Sequence, residues 1–309
     1  MIILGKSYNF TDLEKQRLAK KIKNFEYISY KNKTSEETIK ELLALLSLRD
    51  YEIILLNITD KIPSELIKFL TNLQFEKKIN FYNLENFLEI YLQKCYIPDA
   101  LNGQENITFL SNIKAFNPWQ YFQKRCVDYI ACIFLLFIQI LLFPLIKVKI
   151  KKQSPGNLFF KQSRLGMNNK EFSCIKFRTM HENSYHDPYT KKGDTRVYPF
   201  GEFMRKSRID EIPQAINILR NEMHLIGPRA EWNILVKDYE DEIPYYNERH
   251  LVRPGITGWA QVMYPYGSNV NDARQKLMYD LYYIKHWSLI LEFKIIFKTI
   301  GVVLRKKGV

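Results

Sequence analysis

The chain has 309 residues, enough for two domains with separate cores, and its formal net charge of +13 lies almost entirely in residues 121–309. Such a basic region requires an anionic partner. Phosphate compounds, nucleic acid and the cytoplasmic lipid leaflet all fit, and charge alone does not separate them. The four scattered cysteines form no CxxC pair, which argues against a zinc site and a disulfide framework and suits a reducing compartment.

Residues 1–95 alternate short apolar runs with helical patterns, an order typical of a small parallel α/β sheet. The predicted strands are 1–4, 27–30, 51–56 and 79–82, and the predicted helices are 11–23, 34–48, 63–73 and 84–92. Thr11 and Thr34 each precede a glutamate by three residues, as the first residue of a capping box does. We predict a Rossmann-like regulatory or interaction domain over residues 1–95, without a catalytic site.

Two short features qualify this first domain. The N-terminus lacks the charged start and apolar core of a signal peptide, which predicts a cytoplasmic location. The sequence Gly5-Lys6-Ser7 is not interpreted as a phosphate-binding loop, because position 5 leaves no room for the glycine that such a loop carries five residues earlier. Residues 96–121, with prolines, a glycine and several asparagines, are predicted to be a linker to the second domain, 122–309.

The most apolar stretch of the chain is 129–146. It carries no charge and only one strongly polar side chain, that of Gln139, and it reaches the lower length limit of a membrane span. Lys124 and Arg125 precede it and four lysines follow it, so both ends are predicted to stay at the cytoplasmic face. We predict a re-entrant anchor in one leaflet, with Pro144 helping to break the helix. A buried helix of a soluble domain is the alternative.

Residues 172–180 have the pattern of a short strand in which Phe172, Cys174 and Lys176 share one side. Such a strand would carry Lys176 and Arg178 into a site, and a solvated strand edge is the alternative. Residues 181–194 are polar and are predicted to form a mobile loop. Its histidines, 181 and 186, have no further ligands beside them and are interpreted as ordinary loop residues rather than as a metal site.

Two adjacent carboxylates, Asp210 and Glu211, lie next to a group of basic residues and begin an apolar repeat with the spacing of one helix face. Pro213 fits only the first turn of a helix, so Asp210 is the predicted N-cap. The positive helix end and the cations at 205, 206 and 208 favour an ionised Asp210, which suits a nucleophile or a metal ligand better than a proton donor. The same helix end can hold a phosphate. The alternative is that the pair only caps a helix.

Ordered motifs between residues 122 and 305 resemble the monotopic phosphoglycosyl transferase family, the bacterial sugar transferases that load a sugar phosphate onto polyprenol phosphate. The motifs are Lys124-Arg125-x-x-Asp128, Phe160-x-Gln162-x-Arg164-x-Gly166, Lys176-Phe-Arg-Thr-Met180, Asp194-Thr-Arg196, Asp210-Glu211-x-Pro-Gln214, Gly227-Pro-Arg229 and Arg253-Pro-Gly-Ile-Thr-Gly-Trp-Ala-Gln261. Residues 279–285 also resemble the exopolysaccharide branch of the family. The resemblance implies a mainly helical α+β catalytic domain with a re-entrant membrane helix, at the cytoplasmic face of the bacterial inner membrane.

The resemblance also implies roles for residues. Asp210 would attack the sugar phosphate of a nucleoside diphosphate sugar, by default a UDP-sugar, and would release the nucleoside monophosphate before polyprenol phosphate takes the sugar phosphate. Mg²⁺ is the expected cofactor, with Asp210 and Glu211 as its ligands. Glu211 is the second catalytic residue, and its role would be metal binding or local proton handling. The candidates for phosphate binding are Lys176, Arg205, Arg229, Arg178, Arg196 and Arg253. The candidates for the membrane anchor are Lys124, Arg125, Asp128 and Pro144.

Other readings of the chain stay open at this point. A non-catalytic adaptor that binds membrane surfaces or nucleic acid is the alternative from another class, but no nucleic-acid recognition module is found, so no nucleic-acid partner is predicted. A soluble glycosyltransferase would not need the segment 129–146. The apolar residues 287–300, followed by the basic residues 305–307, fit either an interfacial helix or core packing. The sequence identifies neither the sugar nor the state of self-association.

Overall fold

The computed structural model describes residues 1–58, 62–77, 79–98, 113–182, 184–185, 193–265, 267 and 269–304. The chain forms two compact units, Met1–Tyr96 and Ile97–Val309. Three sequence-based interpretations fall wholly or partly outside the described residues: most of the linker 96–121, the part of the loop 181–194 that contains His186, and the basic tail 305–307.

The first unit is a four-stranded parallel sheet in the order β2-β1-β3-β4, which confirms the predicted small parallel sheet. Its strands are β1 (Ile2–Leu4), β2 (Glu26–Ile28), β3 (Ile53–Leu56) and β4 (Asn80–Asn83). Its helices are α1 (Asp12–Ala19), α2 (Ser35–Leu48), α3 (Ser64–Lys77) and α4 (Leu84–Phe87), the last continuing as a π-helical turn over Leu88–Leu92. Both capping boxes are present, at Thr11 and at Thr34, so the local signals set these helix starts.

The second unit is mostly helical, as predicted, and has two small sheets. Strands β5 (Phe159–Leu165) and β6 (Glu171–Phe177) form an antiparallel hairpin, and β7 (His224–Ile226) pairs in parallel with β8 (Gly255–Thr257). The helices are α5 (Pro118–Gln153), α6 (Pro199–Lys206), α7 (Ala215–Leu219), α8 (Asn233–Glu242), α9 (Trp259–Met263), α10 (Val270–Lys285) and α11 (Leu289–Leu304). Two 3-10 helices, Ile209–Gln214 and Tyr246–Leu251, connect them.

Helix α5 is 36 residues long and, within the described parts of the chain, is the one helix long and apolar enough to cross a membrane. Its most apolar window has a mean hydropathy of 2.7, and 11% of that window is buried. The helix continues through Pro144, so the predicted break there is wrong. Leu142 and Phe143 before the proline pack against the same cluster that contains Ile146 after it, and this packing holds both sides of the proline in one helix.

Helix α5 has one packed face and one exposed apolar face. The packed face places Cys132 in one cluster and Ile146 and Ile150 in a second cluster of the same unit. The opposite face exposes Ile130, Ile133, Phe134, Phe137, Ile140, Leu141, Leu145 and Val148. The helix is therefore not the fully buried helix of a soluble core, and its exposed face has the character of a surface that contacts lipid or another apolar partner.

The first turns of α5 are clamped to the rest of the unit by charged side chains. Lys124 is buried and its Nζ lies 2.8 Å from Glu292 Oε1 on α11. Arg125 pairs with Asp128 at 3.2 Å, and Asp128 in turn lies 2.5 Å from Nδ1 of buried His224 on β7. These three residues of the predicted membrane anchor thus attach α5 to α11 and β7. Their part in membrane anchoring stays a prediction.

Candidate active site

The acidic pair lies on the 3-10 helix Ile209–Gln214, which joins α6 to α7. Arg208, with φ of +58°, occupies the cap position, and the backbone N–H of Glu211 donates to its carbonyl at 3.2 Å. The prediction that Asp210 is the N-cap of an α-helix is therefore wrong. The left-handed Arg208 starts a tighter turn that includes Pro213, and α7 begins only at Ala215.

Glu211 is 3% exposed and is held by three cations. Lys176 Nζ on β6 lies 2.6 Å from its Oε1, and Arg229 after β7 reaches the same oxygen at 3.3 Å. Arg208 reaches Oε2 at 3.4 Å. Burial by itself would raise the pKa of Glu211, but Lys176, Arg229 and Arg208 together lower it far below its ordinary value. Glu211 is therefore the stronger acid of the pair and is ionised at neutral pH.

The pKa of Asp210 is shifted in the opposite direction. It is 8% exposed, and its buried Oδ1 accepts no hydrogen bond from any residue of the described chain. Burial and the neighbouring charge of Glu211 raise the pKa of Asp210 to about 6, although Lys176, Arg208 and Arg205 act in the other direction. Arg208 and Arg205 do favour ionised Asp210, as predicted, but burial and the adjacent carboxylate outweigh these cations, so that the pKa is raised rather than lowered.

Arg205 completes the set of cations beside the pair. Its Nε donates to Thr179 Oγ1 at 2.9 Å, and its charge acts on Asp210. Helix α6 packs closely on the backbone of Thr179, and this packing depends on Gly201. A Cβ on Gly201 would lie 2.2 Å from the Thr179 carbonyl oxygen. Lys176, Arg205 and Arg229 are thus brought together from three distant segments. Arg208, which the sequence suggests only as a local cation, joins them at Glu211.

The family model for bacterial sugar transferases matches residues 119–306, which contain all of these site residues. The chain belongs to the bacterial sugar transferase family. This confirms the family resemblance of the motifs. The match covers most of the second unit and leaves the first unit, Met1–Tyr96, outside it.

Several curated relatives support this membership. A "UDP-N-acetylgalactosamine-undecaprenyl-phosphate N-acetylgalactosaminephosphotransferase" of Aeromonas hydrophila is 43% identical over 218 residues, covering 69% of this chain and 52% of that protein. A "UDP-glucose:undecaprenyl-phosphate glucose-1-phosphate transferase" of Xanthomonas campestris pv. campestris is 41% identical over 167 residues, or 52% and 34% of the two chains. An uncharacterized sugar transferase of Bacillus subtilis (strain 168), EpsL, is 38% identical over 192 residues, 60% of this chain and 89% of that protein. The chain thus spans about half or less of the first two relatives.

Arg178 of this sugar transferase holds the end of α5. Its Nε donates to the Asn157 carbonyl at 2.5 Å, and its two terminal nitrogens donate to the Ser154 carbonyl and hydroxyl at 2.6 and 2.7 Å. The side chain is buried. The structure therefore places Arg178 at the helix end rather than among the cations on Glu211, and its predicted phosphate role stays a prediction.

Arg196 and Arg253 also have partners of their own. Arg196 makes a close ion pair with Asp194, at 2.6 Å, within its own loop. Arg253 donates from Nε to the Asn221 carbonyl at 2.6 Å, and its guanidinium lies over the ring of Tyr121. Neither of them is among the cations that contact Glu211. Their assignment to substrate phosphates likewise stays a prediction.

A second charged cluster contacts the backbone of Arg229. Sequence reasoning missed this cluster. Arg249 donates to the Arg229 carbonyl at 2.9 Å and pairs with buried Asp280 on α10 at 2.9 Å. Glu231 lies 3.8 Å from the same guanidinium. Burial raises the pKa of Asp280 to about 6, against the opposing effect of Arg249. The sequence points to this cluster only indirectly, because Asp280 lies within residues 279–285, which resemble the exopolysaccharide branch of the family. No sequence feature points to Glu231.

The backbone that carries Arg229 is fixed by a close approach of two strands. A Cβ on Gly255 would lie 2.0 Å from the backbone nitrogen of Gly227. Glycine in the Gly227-Pro-Arg229 motif and in the Arg253-Pro-Gly motif thus allows β7 and β8 to pair at this point. The two motifs meet, and their meeting sets the position of Arg229 beside Glu211.

The donor set fits a magnesium ion only in part. The described residues hold no group of three or more His, Cys, Asp or Glu side chains that could bind a metal. Mg²⁺ usually needs only one or two carboxylates, with water and substrate phosphate oxygens as its other ligands. Asp210 fits this need through its unpartnered Oδ1, whereas both oxygens of Glu211 already face cations.

Proposed function

We propose that this chain transfers a sugar 1-phosphate from a UDP-sugar to undecaprenyl phosphate. The observation that carries the proposal is the unpartnered carboxylate of Asp210 next to Glu211, which three cations hold ionised. Both substrates are phosphate anions, and a site in which cations outnumber carboxylates can bind them. The names of the Aeromonas and Xanthomonas relatives describe transfers of this class.

The proposed reaction has two steps. Ionised Asp210 attacks the β-phosphorus of the UDP-sugar, and the bond from that phosphorus to the bridging oxygen breaks, so that UMP leaves and the sugar phosphate is bound to Asp210. An oxygen of undecaprenyl phosphate then attacks the same phosphorus, the bond to Asp210 breaks, and an undecaprenyl diphosphate sugar forms. Each step brings two anions together, and Lys176, Arg205, Arg208 and Arg229 offset their charge.

Mg²⁺ is part of the proposal. Asp210 Oδ1 is the protein oxygen best placed to hold it, with substrate phosphate oxygens and water as the remaining ligands, and Glu211 stays with its cations. When bound, the ion neutralises diphosphate charge and favours the departure of UMP. Lys176, Arg229 and Arg208 keep Glu211 in place and orient the phosphates.

We also propose that α5 anchors the enzyme in one leaflet at the cytoplasmic face of the inner membrane. Both ends of the helix support this, because Lys124 pairs with Glu292 at one end and Ile150 packs into the core at the other. A helix of 36 residues is about 54 Å long. A full crossing would take the packed face and the polar unit attached to it into a hydrocarbon layer about 30 Å thick.

The direct test uses purified enzyme with Mg²⁺ and a panel of UDP-sugars. UMP release is measured first without and then with undecaprenyl phosphate, and intact mass detects a phosphosugar adduct in the absence of the acceptor. Asp210→Asn should abolish both the adduct and UMP release, whereas Asp238→Asn, an exposed acid on α8, should retain them. An adduct of the same mass on Asp210→Asn would refute Asp210 as nucleophile.

A further inference from the structure

Gln139 is the one strongly polar side chain in the apolar residues 129–146. Its Oε1 is buried, and no residue of the described chain donates a hydrogen bond to it. A buried amide group without a partner is destabilising, and native proteins keep few of them. A leucine at position 139 would be more stable than a glutamine both in a membrane helix and in a packed core. The glutamine therefore needs an explanation other than stability.

The face of α5 that carries Gln139 is the packed one. Cys132, Gln139 and Ile146 are seven residues apart, and this spacing returns to the same side of a helix. Cys132 and Ile146 are both buried against the catalytic unit, and Gln139 is half-buried between them. Its side chain therefore belongs to the stripe that faces the protein rather than to the exposed apolar face.

The register of this stripe places Gln139 on the part of α5 that contacts the 3-10 helix of the acidic pair. The Cys132 thiol donates to the Ala215 carbonyl at 3.3 Å, just after the 3-10 helix ends. Ile209, where that helix begins, packs against the cluster that contains Ile146. Helix α5 contacts the 3-10 helix. Because its earlier residue Cys132 meets Ala215 and its later residue Ile146 shares a cluster with Ile209, the two elements run in opposite directions. The stretch of α5 around Gln139 therefore lies opposite residues 210–214.

Gln139 and Asp210 thus lie on two elements that contact each other, and each has a buried oxygen without a hydrogen-bond partner among the described residues. Two acceptors cannot satisfy each other. The amide of a glutamine offers N–H donors as well, and a half-turn about its last bond exchanges the nitrogen and the oxygen. With Nε2 turned inward, Gln139 presents a hydrogen-bond donor on the side of α5 that faces the 3-10 helix.

We propose that Gln139 binds the phosphate of the lipid acceptor as it approaches Asp210 along α5. This inference rests on the proposed function. The nucleotide sugar is water-soluble and meets Lys176 and Arg229, but the acceptor phosphate is fixed to a prenyl chain and has to arrive from the apolar side. Phe137, Ile140 and Leu141 lie on the same turns of α5 as Gln139 but on its exposed face, and they suit the prenyl chain, which passes round the helix to bring its phosphate to Gln139.

The test separates the two half-reactions. In Gln139→Leu, UMP release without acceptor should match the parent, while the KM for undecaprenyl phosphate rises about tenfold or more because a hydrogen bond to a charged group is lost. Gln139→Glu should raise that KM further, since its charge repels phosphate. The thermal midpoint of Gln139→Leu should equal or exceed that of the parent, because an unpartnered polar group is removed.

A matched control moves the amide by one residue. The double variant Gln139→Leu/Ile140→Gln keeps a glutamine in α5 but turns it to the exposed face, and it should show the KM of Gln139→Leu. An unchanged acceptor KM in Gln139→Leu, or an equal loss in both half-reactions, would overturn the inference while the proposed function stands. A parent enzyme that releases no UMP would remove the proposed function and this inference together.

Discussion

Lys176 Nζ lies 2.6 Å from Glu211 Oε1, and this contact joins strand β6 to the segment that carries the acidic pair. Both side chains are largely withdrawn from water, so the pair is little screened by solvent. Glu211 stays ionised beside a second carboxylate because of this lysine and the two arginines that accompany it. The predictions below begin from this arrangement.

Replacing Lys176 by methionine should lower the rate of UMP release about 100-fold, because one of the fixed positive charges at the site is lost. It should also raise the pKa of Glu211, since Lys176 is the strongest of the cations that lower it. Lys161→Met, an exposed lysine on the paired strand β5, is the matched control and should keep the parental rate. Retention of more than half the activity in Lys176→Met would contradict the role given to this charge.

Breaking the Arg249–Asp280 pair should destabilise the second unit. Arg249→Met leaves Asp280 buried without its cation and is expected to cost about 3 kcal/mol or more in the free energy of unfolding. The double variant Arg249→Met/Asp280→Leu removes both charges and should be more stable than Arg249→Met alone. Chemical denaturation of the purified variants measures both effects. Asp280→Leu is the second single variant, and a loss in the double variant that equals the sum of the two single losses would show that the two side chains are not coupled.

The free energy of unfolding should decrease as the pH is lowered, because His224 becomes protonated in the unfolded chain first. Burial, partly opposed by the hydrogen bond to Asp128, lowers the pKa of His224 from 6.5 to about 4. Between these values the unfolded chain binds a proton that the folded chain does not, so stability is full above about pH 6.5 and declines as the pH falls towards 4. His224→Gln removes this dependence. Between pH 7.5 and 5 the parent should therefore lose about 2 kcal/mol more of its free energy of unfolding than the variant does. Parallel pH profiles of the two proteins would contradict the prediction.

Charges on the exposed face of α5 should release the protein from membranes. Ile133 and Ile140 are each 72% exposed, and an aspartate in the middle of a membrane helix costs about 3 kcal/mol. The variant Ile133→Asp/Ile140→Asp should move mainly to the soluble fraction after a carbonate wash, while Ile133→Ala/Ile140→Ala should stay with the membranes. If the parent is itself washed off, then α5 is not a membrane anchor.

The sequence was sufficient where the signal is local. The alternation of apolar runs predicts the parallel sheet, and Thr11 and Thr34 cap their helices through residues only three positions away. The sequence predicts less where contacts between distant segments determine the property. The pKa of Glu211 depends on Lys176 and Arg229, which no spacing rule brings together. It was the family resemblance that suggested these two residues.

Two wrong predictions have the same origin. Pro144 was expected to break α5, but the packing of the turns on either side of it keeps the helix continuous. Asp210 was expected to cap an α-helix, but Arg208 takes a left-handed conformation that sequence patterns favour for glycine or asparagine, and this conformation starts a 3-10 turn instead. In both places the backbone departs from the intrinsic preference of the residue, and at Pro144 it is tertiary packing that outweighs this preference.

The contact between Arg178 and the end of α5 has a consequence for substrate selection. Arg178 follows Lys176 by two residues, so one short piece of backbone, about 7 Å long when extended, joins the end of the apolar helix to a cation of the site. Under the proposed function, with α5 in the membrane, this piece sets the distance between the lipid boundary and the reacting phosphorus. We then expect an acceptor to be selected by the depth at which its phosphate lies as well as by its chemistry.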